Sequence, residues 1–382
     1  MILGIDATNI RSGGGVTHLV ELLNNSEPRN DGFKKVIIWS NLKTLKQIKD
    51  QDWLKKINPV YLEKNMLNRV FWQLFYLSKE CKSNNCNILL IPGGSFFGSF
   101  KPIVSISQNL LPFDRREMNR YFPSLFFFKL LLLRFVQANT FKKSNGVIFL
   151  SSFARNQIQK FPNIINIDYE VIPHGINNLF FKDKKPQNSI EDYSTSKPYR
   201  ILYVSKIDLY KHQWNVVEAL YKIRKEKKWP IILDLVGGAF PPALKKLTQV
   251  INKCDSERKW VNYMGELDYD ILKDIYINTD LIVFASSCEN MPNILIESMA
   301  TGIPIASSNR GPMPEVLKDA GLYFDPESID SISTAIENLI ISPELRTINS
   351  RKSQTLAINY NWGKCSKSTF NFIKKIKLKF NN

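Results

Sequence analysis

The chain has 382 residues, 44% hydrophobic and 12% aromatic, with 52 Lys and Arg against 35 Asp and Glu for a net charge of +17. That length exceeds one ordinary core and fits two α/β domains, while the apolar content excludes a disordered or fibrous chain. Cys81, Cys86, Cys254, Cys288 and Cys365 are scattered and odd in number. They give neither a disulfide framework nor paired zinc ligands, so a reducing cytoplasmic compartment and no metal are expected.

The charge is uneven. Residues 1–190 hold 26 Lys and Arg against 13 acids, a net of +13, and residues 191–382 hold 26 against 22, a net of +4. A basic first half suits an anionic membrane surface or a phosphorylated lipid as well as a generally Lys-rich composition. No nucleic-acid motif or aromatic-interleaved basic stripe is present, so no nucleic-acid partner is expected.

The opening MILGIDATNIRSGGG lacks the basic and apolar regions of a secretory leader. Its first seven residues read as a strand, Gly13–Gly15 as a glycine-rich loop, and Val16 to Leu23 as a helix. Gly14 and Gly15 there either let backbone N–H groups approach a phosphate or serve only chain geometry. Further strands are expected at 35–39, 87–91, 102–107, 146–150 and 169–172, with helices between, which makes a βαβ series. Gln108 and His174 stand at two of the strand ends. Within the series, YFPSLFFFKLLLLRFV (121–136) is too short to span a bilayer. It reads either as a buried core helix or as a helix in the membrane interface, its cations meeting lipid phosphates.

Residues 182–199 are polar, hold two prolines and read as a linker. Strands resume at 200–204, 231–236 and 261–265, the last including Met264. Next comes LIVFASSCENMPNILIESMATGIPIASSNRGPMP (281–314): a strand, a polar corner, a helix from Asn293, and a second strand at 303–306. A helix N-terminus at the end of a parallel strand collects anionic ligands. Glu289 lies in the corner and Glu297 in the first turns of the helix. A carboxylate among Ile294, Leu295, Ile296 and Met299 needs partners, and a ribose diol has two hydroxyl donors. Lys206 and Lys211, in the loop after the 200–204 strand, form either a diphosphate clamp or a solvated pair. His18, His174 and His212 are too dispersed for a metal motif.

Glu289 and Glu297, with seven residues between them inside CENMPNILIESMATGIPIASSNRGPMPEV, resemble the E-x7-E motif of family 4 glycosyltransferases. The likeness extends from YVSKIDLYKHQWNVVEAL to GLYFDP and covers roughly residues 200–330, with a looser match at Gly13–Gly15 and IPHGI. It implies a GT-B fold: two Rossmann-like domains facing across a cleft, and a C-terminal helix crossing back to the first. The division is then an acceptor-binding domain at 1–181, a linker at 182–199, a nucleotide-sugar domain at 200–360 and the returning helix at 361–382. It also implies metal-independent, retaining transfer of a sugar from a nucleotide-diphosphate sugar, with no further cofactor, to a glycan or lipid-linked acceptor. By that resemblance Glu289 contacts donor-sugar hydroxyls, Glu297 the ribose, and Lys206 and Lys211 the diphosphate. Asn290, Met291, Pro292 and Asn293 touch sugar and phosphate through their backbone. Two departures stand out: Lys206 where Arg is common, and Gln108 where the first domain often presents a His. Alternatives are a nucleotide-sugar epimerase or hydrolase, or a non-catalytic binding protein.

Overall fold

The computed structural model describes every residue except 162–163, 165–166, 183–184 and 382, and omits also the side chains of 269 and 270. The chain forms two compact units, Met1–Gly175 with Tyr360–Asn382, and Ile176–Asn359.

The first unit holds β1 (Ile2–Asp6), β2 (Lys35–Trp39), β3 (Leu54–Ile57), β4 (Ile88–Ile91), β5 (Ile103–Ser107), β6 (Gly146–Phe149) and β7 (Asp168–Val171). They pair in parallel in the order β3-β2-β1-β4-β5-β6-β7. The central strands are short, nearly continuous apolar runs because helices cover both faces of the sheet. Strand β3 is absent from the sequence reading. Its LKKI is only partly buried at the sheet edge, where lysines are tolerated and the apolar signal is weakest.

The second unit holds β8 (Tyr199–Val204), β9 (Ile231–Val236), β10 (Val261–Tyr263), β11 (Leu281–Phe284), β12 (Ile305–Ser308) and β13 (Leu322–Phe324). This sheet is also parallel, in the order β10-β9-β8-β11-β12-β13. Strand β12 begins two residues later than expected. Each sheet grows outward in both directions from its first strand, so the winding reverses between β1 and β4 and again between β8 and β11. Loops at the carboxyl ends of strands flanking such a reversal part to leave a ligand crevice. Both units are Rossmann-like.

The C-terminal helix, Trp362–Phe380, belongs to the first unit and packs on the helix Gly14–Asn24 and on β4 and β6. Its approach needs a glycine: a Cβ on Gly146 would lie 2.7 Å from Ile376 Cγ1. Residues 182–199, of which 183 and 184 lie outside the described residues, do not form a free linker. Lys185 pairs with Asp280 at 2.9 Å, the Tyr193 hydroxyl donates to the same carboxylate at 2.9 Å, and Arg346 Nε donates to Gln187 at 3.0 Å. The segment lacks an apolar period because single polar side chains anchor it, and the units divide instead after Gly175.

The apolar run at 121–136 is not a core helix. The helix Leu125–Lys143 buries only Leu130, Gln137, Thr140 and Phe141, whereas Leu125 is 89% exposed and Phe135 72%. Apolar residues ring this helix, so composition cannot say which side packs. Among the described residues, no helix is long and apolar enough to cross a membrane.

Candidate functional site

In the second unit the loops after β8 and β11 meet beside the reversal. Ser287 N–H donates to the Tyr210 carbonyl at 2.8 Å, and His212 Nε2 lies 2.8 Å from Ser287 Oγ. The left-handed backbone of His212 (φ 52°) turns the β8 loop into the helix Gln213–Lys227, and Gln213 Nε2 donates to the Lys206 carbonyl at 3.0 Å. The Tyr203 hydroxyl donates to the Lys211 carbonyl at 2.6 Å. These bonds fix Lys211, which is 8% exposed. Its ammonium pairs with Glu289 Oε1 and lies 5.2 Å from the ring centre of Tyr210 and 5.4 Å from that of Phe284. Lys206 is held differently. Its side chain is 57% exposed, with Nζ 3.2 Å from Asp208 Oδ2. The neighbouring β9 loop closes on its base through Gly237 (φ 142°), where a Cβ would run into the Ser205 carbonyl. Met264, at the end of β10, donates its N–H to the Leu235 carbonyl at 3.0 Å.

Asn290, Met291 and Pro292 are buried and lead into the helix Asn293–Thr301, which starts without a side-chain cap and without an acid in its first turn. Glu297 sits half-buried on its second turn. Among the described residues, no hydrogen bond or ion pair reaches its carboxyl, and burial pushes that group up to about 8. A carboxyl shielded from water, with no partner among the described residues, is suited to accept ligand hydroxyls. The ensemble is two ammonium groups, an uncapped helix N-terminus and two carboxylates on the loops and helix that follow β8 and β11. It matches a phosphate-bearing, hydroxyl-rich ligand.

In the first unit Gly13 (φ 68°) ends the β1 loop, and the helix begins at Gly14. Gly14 and Gly15 are therefore the uncapped first turn of a helix rather than loop residues. A Cβ on Gly15 would fall 2.8 Å from Gln108 Oε1. Gln108 Nε2 donates to His18 Nδ1 at 2.8 Å, which leaves the His18 proton on Nε2, 3.9 Å from Cys365 Sγ. Burial and the neighbouring His174 hold His18 well below the ordinary histidine pKa, so it stays neutral. The His18 and His174 ring centres are 4.3 Å apart, and Trp362 stacks on both at 5.8 and 5.7 Å. His174 is thus enclosed in a ring cluster (4% exposed) rather than lining an opening.

Lys206, Lys211, Glu289, Asn290 to Asn293, Glu297 and Met264 share one edge of the second sheet. Gly14, Gly15, Gln108 and His174 share one edge of the first. Sequence reasoning missed Ser287 and Gly237, which shape the second edge, and the union of His18 with Trp362. No local pattern marks the last, because the partners are 344 residues apart in the chain. The φ-positive glycine after β9 is the one signal that was readable.

Residues 184–355 match the model of the family described as glycosyl transferases group 1. The match covers a little under half of the chain. It is 26% identical over 175 residues to O-antigen chain mannosyltransferase B of Escherichia coli, covering 45% of each chain. It is 25% identical over 209 residues to the GDP-mannose-dependent alpha-(1-6)-phosphatidylinositol monomannoside mannosyltransferase of Mycobacterium tuberculosis, covering 51% of this chain and 52% of the relative. The chain thus spans about half the length of these curated relatives. Sucrose-phosphate synthase from Thermosynechococcus elongatus has the same fold across 100% of both chains, with a TM-score of 0.78 at 14% identity.

Proposed function

We propose that the protein transfers a sugar from a nucleotide-diphosphate sugar to a glycan or lipid-linked acceptor, with retention of configuration, in cell-surface polysaccharide synthesis. The observation that carries this reading is the Lys211–Glu289 pair at the β8/β11 reversal, together with a Glu297 carboxyl that no group among the described residues satisfies. Glu297 accepts the ribose hydroxyls, Lys206 and Lys211 neutralise the diphosphate, and Glu289 orients the sugar hydroxyls while keeping Lys211 in place. The bond from the anomeric carbon to the diphosphate oxygen breaks, and a bond from that carbon to the acceptor oxygen forms. The acceptor proton passes to the departing diphosphate, so no protein base is required. Gln108, a neutral amide, acts only as a hydrogen-bonding neighbour. The GDP-mannose donor and the phospholipid acceptor in the name of one relative support both substrate classes.

The test is a binding screen of UDP-, GDP- and ADP-sugars, followed by transfer from the best binder to a lipid-extract acceptor. Rapid turnover without acceptor would instead favour an epimerase or hydrolase, and a protein indifferent to every nucleotide would be a binding protein.

The exposed helix Leu125–Lys143 supports a peripheral position on an anionic cytoplasmic membrane face, with Phe128, Leu132 and Phe135 entering the interface. Replacing those three by Ser is expected to abolish co-sedimentation with anionic vesicles, and raised salt to weaken it in the wild type. Equal recovery on neutral and anionic vesicles would refute this placement.

A further inference from the structure

The helix Ser78–Ser83 ends just before β4, and the way it ends brings two cysteines together. Its cap is Asn84, and Asn85 follows in the left-handed conformation, at φ 54°. Asn85 N–H donates to the Lys82 carbonyl at 2.9 Å, and Cys86 N–H donates to the Cys81 carbonyl, also at 2.9 Å. These two bonds define a Schellman motif, in which the side chain three residues before the cap meets the one two residues after it. Two hydrophobic side chains commonly fill those places. Here they are Cys81 and Cys86.

The two sulfurs share one environment but differ in access. Cys81 is fully buried in an apolar cluster with Trp39, Leu77 and Leu89, and Cys86 packs against the same cluster while remaining half-buried. A bare backbone leaves room for it: a Cβ on Gly4, in β1, would lie 3.3 Å from Cys86 Sγ. The Cys81 thiol donates to the Cys86 sulfur, which holds Cys86 below the ordinary cysteine range and Cys81 above it. A disulfide requires Cα atoms about 4.4–6.8 Å apart and side chains turned toward each other. A hydrogen bond directly between the two backbones, with the two side chains in contact, prepares that geometry without moving a strand. A more readily ionised sulfur near solvent, backed by a buried second thiol, is a nucleophile with its resolving partner.

We propose that Cys81 and Cys86 are a redox-active dithiol that closes reversibly to a disulfide by exchange with a small-molecule disulfide such as oxidised glutathione. The Cys86 thiolate attacks one glutathione sulfur, a mixed disulfide forms, and one glutathione thiolate leaves. Cys81 then gives up its proton and attacks Cys86 Sγ, and the second glutathione thiolate leaves. The two protein thiols lose two electrons, and their two protons end on the two glutathione molecules released. The closed bond ties the helix end to the start of β4, the strand that flanks the reversal of the first sheet. A transient bond of this kind is compatible with a reducing compartment.

The test equilibrates the reduced full chain in glutathione buffers of rising oxidised-to-reduced ratio, followed by acid quench, alkylation in denaturant and mass spectrometry. The reduced chain alkylates at five cysteines, and the oxidised chain is expected to lose the Cys81 and Cys86 thiols while retaining no glutathione on either. Tryptic cleavage after Lys82 separates the two cysteines, so their peptides travel as one species until a reductant is added. Cys81→Ala is expected to stop at a glutathione adduct on Cys86. Cys86→Ala is expected to leave Cys81 a free thiol at every ratio, and it keeps the test decisive if Cys81→Ala fails to fold. Free Cys81 and Cys86 thiols in the wild type at the most oxidising ratio would overturn the proposal. So would a lasting glutathione adduct on wild-type Cys86, or a disulfide that joins either residue to another cysteine.

Discussion

Lys211→Ala is expected to lower sugar transfer by at least about a hundredfold, the typical loss when one preorganised charge facing a developing anion is removed. The same change should destabilise the protein by about 3 kcal/mol, because Glu289 is left as an unpaired carboxylate of low exposure. The two effects are separable. In Lys211→Met/Glu289→Gln the pair becomes two neutral side chains of similar volume, so thermal stability returns towards the wild type while transfer stays lost. Transfer within a few-fold of wild type in the folded single variant would remove Lys211 from the diphosphate site. Recovery of transfer in the double variant would show the pair to be structural only.

Glu297→Gln should change the pH dependence of both stability and nucleotide binding. The carboxyl is raised from 4.5 to about 8 in the folded protein by burial. Between those values the folded state holds a proton that the unfolded state has released, so Glu297 makes stability fall as pH rises from about 4.5 to 8. Gln carries no charge at any pH. The variant should match the wild type near pH 4 and exceed it in melting temperature at pH 9. Nucleotide binding runs the other way. Ribose hydroxyls donate to the ionised carboxylate, so wild-type affinity should climb with pH until about 8, with a proton released on binding. The variant should bind about tenfold more weakly, with a flat profile. Calorimetry in buffers of different ionisation enthalpy measures that proton directly. A wild-type profile as flat as that of Glu297→Gln would place the ribose elsewhere.

The second unit was the more legible half. Leu281–Ala285 is a β-branched and aromatic run of strand length, the helix behind it ends at Gly302 in a left-handed conformation, and the two glutamates stand at a spacing that local geometry preserves. The first unit was harder to read. Its edge strand β3 carries lysines, its glycines 14 and 15 turned out to be helical, and its apolar helix faces outward because ring-round hydrophobicity has no preferred side. Residues 182–199 misled for the opposite reason: a few long polar side chains, and no apolar period, tie them to the second unit.

By itself the sequence determined what short-range chemistry determines: the alternation of strands and helices, the two Rossmann-like halves, the E-x7-E stretch and the lysines of one loop. Only the tertiary structure decided which side chains meet. It pairs Lys211 with Glu289 across 78 positions, leaves Glu297 without a partner among the described residues, and seats Gln108 on His18. It also brings Arg69 to Asn9 across 60 positions. The reason is physical. Strand and helix signals repeat within a few residues, whereas contacts at a sheet reversal join loops whose separation in the chain is set by everything wound between them.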